Sequence, residues 1–378
     1  MDNRRNSTYK IRSTKKNGIK VLIGFLVILI IALGAVFGLK VLKKEQTETT
    51  ANEGQQMIEE PVKKEEPKVQ IVDENSKTRP YAVMINNNHA AWPQCGLKDA
   101  YLVYEIIAEG GITRMMALYK DKFPEKVGSV RSARHYFIDY ANENDAIFIH
   151  WGGSPQAYNR INSGMASLDG IALEGTVFFR DKTLKRDYEH TGFVDLTKAE
   201  EYARNKGYTR ETNEDLLLNY SAKEIGLDKK EEAESASEIT LRYSDYHTTS
   251  YEYDEENKVY KRFMSGKANV DLETNEQYTA KNIIVYKVKN YTLNDGENKG
   301  RQELSNIGSG NGYYITCGYA VPITWEKTAK DSQTVYKYEN GEEITVNDGN
   351  TFIQIMPMDS KITIEPGEET INTNEISE

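Results

Sequence analysis

Residues 21–39 form an uncharged run of 19 residues, VLIGFLVILIIALGAVFGL, closed on either side by Lys20 and Lys40. A bilayer core demands about 20 consecutive apolar residues, and few other structures do. The run therefore predicts a single transmembrane helix and sets the rest of the chain apart from it. Seven Lys or Arg precede the run and three follow it, which keeps residues 1–20 in the cytoplasm and places everything after the run outside. A cleaved signal peptide is the competing reading, because Ala32-Leu33-Gly34 loosely matches a small-x-small cleavage site. The run is longer than a usual signal core, so an uncleaved anchor is favoured. No cysteine directly follows it, which argues against a lipid-modified N-terminus.

Charge is unevenly shared. The whole 378-residue chain carries 48 basic and 58 acidic residues, a net −10. Residues 1–44 hold ten of the bases and one acid, so the remainder sets 38 bases against 57 acids. A surface that acidic repels phosphate backbones, and no local basic groove is visible, so nucleic acid is not an expected partner. Cys95 and Cys317 lie far apart without CxxC or Cys-His spacing, which supports neither a zinc site nor a disulfide framework. One bridge or two separate thiols both remain open.

Residues 40–78 are rich in Glu, Thr, Gln and Lys, contain no aromatic residue, and read as a disordered stalk. Folding is expected from Arg79. Residues 81–85 suit a strand, 98–108 a helix, 113–119 a strand, 132–142 a helix and 146–150 a strand. Ser154 and Pro155 fit an N-cap and first helical turn, and 196–205 reads as a further helix. That alternation predicts a mixed α/β layered domain over 79–219. A charged junction over 220–238 then leads to a mostly antiparallel β domain over 239–364, with an acidic tail over 365–378. Strands are expected at 239–243, 250–253, 259–263, 283–288, 313–317, 335–338, 343–346 and 351–356, with Asn340-Gly341 as a hairpin turn. The fold class is thus α+β behind one membrane anchor.

Several stretches carry a family resemblance: RPYAVMINN, GLKDAYLVYEIIAEGGITRMMALY, VGSVRSAR and HWGGSP, in that order. FFRD with His190 beyond it, GSGNGYY, ITWEK and DGNTFIQIMP continue the match. Together they resemble the YerB-like family of bacterial envelope proteins, which carry a two-part domain of unknown function. The resemblance spans roughly residues 77–364 and implies a lipoprotein or a membrane-anchored protein. It implies no activity. Cys95, Cys317 and the missing lipobox depart from the family pattern.

Three constellations are candidates for chemistry. Arg114, Arg131 and Arg134 surround a GSVRS loop that enters a helix, a setting suited to a carboxylate or phosphate. The competing reading is an internal network in which Glu105 and Glu109, expected on one helical face, satisfy those arginines. His150, Trp151 and Ser154 lie where a strand meets a glycine turn and a helix, yet GxSxG is not met, so serine hydrolysis is disfavoured. His150, Asp181 and His190 are too scattered to predict a metal, and Arg180 and Asp181 are expected to pair locally or with the loop. No cofactor is implied. A carboxylate pair for glycoside hydrolysis would have to come from Glu105, Glu109 and Asp181, with Trp92, Trp151 and Trp325 as sugar platforms.

The favoured expectation is a binding or assembly module outside the membrane, holding an anionic cell-wall polymer or peptide at Arg114, Arg131, Arg134, His150, Ser154, Arg180 and His190. The alternatives are a cell-wall hydrolase or a non-catalytic scaffold.

Overall fold

The computed structural model describes residues 67–367. The expected cytoplasmic segment, the transmembrane run, the stalk through residue 66 and the tail from 368 lie outside the described residues. Among those described, no helix is long and apolar enough to cross a membrane. The fold is mainly β in a two-domain arrangement, with several sheets and four α-helices among the described residues.

The first half supplies β1 (Tyr81–Asn86), β2 (Leu102–Ile107), β3 (Thr113–Tyr119), β4 (Ile147–His150) and β5 (Ser167–Asp169). It also supplies α1 (His135–Asn142), α2 (Pro155–Ile161), α3 (Gly170–Leu173) and α4 (Leu196–Asn205). The second half adds β6 (Glu238–Arg242), β7 (Thr248–Asp254), β8 (Val259–Met264) and β9 (Asn282–Val288). It continues with β10 (Gly308–Thr316), β11 (Tyr319–Lys327), β12 (Thr351–Pro357) and β13 (Lys361–Glu365).

One sheet of eleven strands draws on both halves. Its order is Glu234–Ser235, β11, β10, β9, β12, β2, β3, β1, β4, β5, with Val335–Tyr338 also paired to β11. β12 lies parallel between β2 and β9, setting Ile353 opposite Tyr104 and Gln354 opposite Glu105. A six-stranded sheet, in which β8, β7, β6 and β13 are neighbours, covers one face. There Tyr251 packs edge-on to Phe352, and its hydroxyl accepts from Gln354 at 3.0 Å. α1 covers the opposite face. The Tyr104 hydroxyl donates to Glu143 at 2.6 Å and that of Tyr136 to the Ile107 carbonyl at 2.9 Å. Because strand side chains alternate, Tyr104 meets α1 while Glu105 meets the second sheet.

The helix expected over 98–108 is not formed. Leu97–Asp99 makes one 3-10 turn and the chain then enters β2, whose six residues are all buried. Leu102, Val103, Tyr104, Ile106 and Ile107 are apolar on both faces, which suits a central strand covered on two sides and leaves no polar stripe for a helix. Residues 67–78, read as the end of the stalk, lie against the body instead. Val72 is buried, and the N–H groups of Gln70 and Ile71 each donate to Asp348 at 2.9 Å. Gly341 occupies the left-handed region at φ 85°, closing the expected turn, but the return chain makes only one bridge. Thr345–Asn347 pairs instead with Asn219–Ser221. Cys95 and Cys317 are free thiols, and burial pushes the Cys95 thiol up to about 12.

Candidate functional site

β1 and β4 run parallel and β3 runs against β1, so Asn86, Arg114 and His150 come to one end of the sheet. The loops at that end bring in Glu109, Arg131 and Arg134. Glu109 opens a short turn after β2, in which Gly110 and Gly111 take positive φ of 67° and 75°. One Glu109 oxygen accepts from both Arg114 and Arg134, and the other accepts from Arg134 Nε at 3.0 Å. The two arginine side chains are 6% and 8% exposed and that of Glu109 is 24% exposed. Burial raises the Glu109 carboxyl, but the two guanidinium charges outweigh it and hold the group at about 2. Burial, together with the repulsion from Arg134, pulls Arg114 down to about 9. Two cations share one anion here.

Arg131 meets a different acid, Glu189, at 2.8 Å with a quarter of its side chain exposed. His190 is buried against Asn86, whose amide lies 2.9 Å from Nδ1, and burial lowers its basicity. Arg180 lies between rings, 4.2 Å from the centre of Trp151 and 3.6 Å from that of Tyr188, and bonds Glu174 at 3.1 Å. Trp151 itself lies in a slot that exists because residues 170 and 192 are glycine: a Cβ there would stand 2.5 and 2.7 Å from the ring. His150 Nδ1 faces the Gly152 carbonyl at 2.9 Å, so this nitrogen carries the proton. Its Nε2 is buried with no partner among the described residues, and burial holds the ring's basicity down.

Other expected site residues are placed differently. Ser154 is buried and caps α2, accepting from the Ala157 N–H at 3.1 Å, which is a structural role. Asp181 leaves the group altogether: it bonds Lys126 at 2.8 Å, which together with Thr183 draws its carboxyl down to about 2. Arg180 and Asp181 do not pair with each other; each bonds the following loop instead, Arg180 donating to the Tyr188 carbonyl and Asp181 accepting from the Thr183 hydroxyl, both at 2.6 Å. Among the described residues, no three His, Cys, Asp or Glu side chains gather as a metal site requires.

Glu105 parts company with Glu109. Its carboxylate is fully buried and meets residues of the second half that the sequence reading did not single out. Oε2 lies 2.8 Å from Arg262, and Oε1 lies 2.9 Å from His247 and 3.0 Å from the Asn87 amide. The Thr113 and Thr249 hydroxyls donate to it at 2.7 and 3.0 Å. Burial opposes ionisation, yet the charge on Arg262 and the bond from His247 prevail and hold this carboxyl far below its ordinary range. Nothing local marks these partners, because His247 and Arg262 follow Glu105 by 142 and 157 residues. Both glutamates are thus held ionised by arginines, and neither has a proton to give. What this end of the sheet can offer is a surplus guanidinium charge in a rigid setting.

The DUF3048 N-terminal domain model, described as a protein of unknown function, matches residues 68–209. The DUF3048 C-terminal domain model matches residues 239–353. The Bacillus subtilis (strain 168) protein called "Putative lipoprotein YerB" is 30% identical over 299 residues, spanning 78% of this chain and 86% of the relative. A crystal structure of the YerB protein from Bacillus subtilis superposes with a TM-score of 0.65 at 28% identity, covering 76% of this chain and 94% of the other.

Proposed function

The chain belongs to the DUF3048 family, and from that footing we propose a membrane-anchored, extracytoplasmic binding module for an anionic group of the cell envelope. The position outside the membrane is supported by the charge asymmetry around the apolar run and by a relative that bears the name of a lipoprotein. The binding reading is carried by one observation: Arg114 and Arg134 converge on the single carboxylate of Glu109. A guanidinium left without its own counter-ion and fixed by packing is prepared for a carboxylate or phosphate oxygen. Arg131, pairing across a partly exposed bridge to Glu189, can turn to the same anion. The carboxylate-pair hydrolase gains no such support, since Glu105 and Glu109 are both occupied by arginines.

Thermal melting of the full chain in detergent, with and without soluble anionic cell-wall fragments, tests this reading. Fragments should raise the wild-type midpoint, and Arg131→Ala should fold normally but lose most of that rise. If no fragment moves the wild type, the arginine end is a structural network alone; if Arg131→Ala responds as the wild type does, Arg131 takes no part in holding the anion.

A further inference from the structure

β13 is the last strand of the six-stranded sheet and pairs only with β6 among the described residues. In that register Glu365 stands opposite Glu238 and Lys361 opposite Arg242. Like charges directly opposed weaken a strand pair, and both ends of β13 have this fault. Arg242 is taken by Asp245 at 2.7 Å, while Lys361 and Glu365 are exposed. Between them, Ile362 and Ile364 wall a groove of about 1090 Å³ floored by Ser309, Asn311 and Thr324 of β10 and β11. Two large apolar side chains of the same groove stand unusually exposed, Ile307 at 44% and Met358 at 54%.

An open edge offers a row of unpaired backbone N–H and C=O groups, and natural sheets blunt or cover such edges. Among the described residues the edge is open beside a partly apolar trough, the geometry used for strand addition. We propose that the groove takes an extended peptide segment of a partner protein, added as a further antiparallel strand on β13. The segment carries a cation opposite Glu365, apolar residues opposite Ile364 and Ile362, and an anion opposite Lys361. Those charges supply the opposite-sign neighbours that β6 does not. A single strand suffices to meet both the edge and the groove lining of Ser309, Asn311 and Thr324, and a second copy is an outcome of the test. This surface is separate from the arginine end of the sheet and does not depend on what binds there.

β13 supplies its own probe, because the sequence Lys-Ile-Thr-Ile-Glu read antiparallel to itself sets Lys against Glu and Ile against Ile. A fluorescent synthetic peptide repeating residues 359–366 is titrated with the full chain in detergent micelles and followed by anisotropy. A chain with both charges exchanged, Lys361→Glu with Glu365→Lys, should bind it about tenfold more weakly. A peptide with the same two charges exchanged should recover binding to that variant and lose it to the wild type. Equal binding across the four combinations, or none at about 100 μM chain, overturns the proposal. So does a full-chain dimer that Lys361→Glu alone dissolves, because a second copy would then be the occupant.

Discussion

Glu109 shows how one side chain can be both a structural tie and a gauge of its surroundings. Its folded pKa, about 2, lies below its ordinary value of 4.5, so the unfolded chain takes up the proton more readily. The stabilisation from this group is therefore complete above about pH 4.5 and disappears as pH falls toward 2. Glu109→Gln should lower stability at neutral pH by about 2 kcal/mol, a figure reduced for the partial exposure of the carboxylate. The variant should also lose less between about pH 5 and about pH 2, so that the two curves converge at acid pH. Urea midpoints across that range measure it, and parallel curves would show that Glu109 carries no such linkage. Some acid sensitivity should persist in the variant, because Glu105 is shifted in the same direction by Arg262 and His247.

Individual elements differed in how far the sequence alone revealed them. The strands read at 113–119 and 335–338 and the helix at 196–205 have those bounds, since each carries its own periodicity and end signals. The Ser154-Pro155 start of α2 was equally legible, because capping is a matter of neighbouring residues. β2 was not. A run apolar on both faces fits a buried helix as well as a central strand, and only β3 and β12 alongside it decide the matter. The site follows the same rule. The meeting of Arg114 and Arg134 with Glu109 spans at most 25 residues and was within reach, whereas the partners of Glu105 come from the far half. The slot for Trp151 is another long-range product, since Gly170 and Gly192 have meaning only once the ring lies between them. Gly170→Ala should displace that ring and loosen its stack with Arg180, at a cost of about 1–3 kcal/mol. A lowered melting temperature with altered tryptophan fluorescence would report it, and an unchanged melt would mean that the slot has slack.

For the whole molecule, the decisive feature is that β12 stands between β2 and β9. The two halves matched by separate family models thereby share one sheet, and Glu105 fastens them again through Arg262 and His247. Residues 67–219 alone should fail to unfold cooperatively, while residues 67–367 should show a single transition by circular dichroism in urea. Two separate transitions in the longer piece would show that the shared strand does not couple the halves. The same placement of β12 sets an order in time. β2 leaves the ribosome about 250 residues ahead of the strand that completes it, which at 5–20 residues per second is roughly 10–50 s. Through that interval one side of β2 has no neighbour. Correct assembly then depends on whatever shields a bare strand until residues 351–357 arrive.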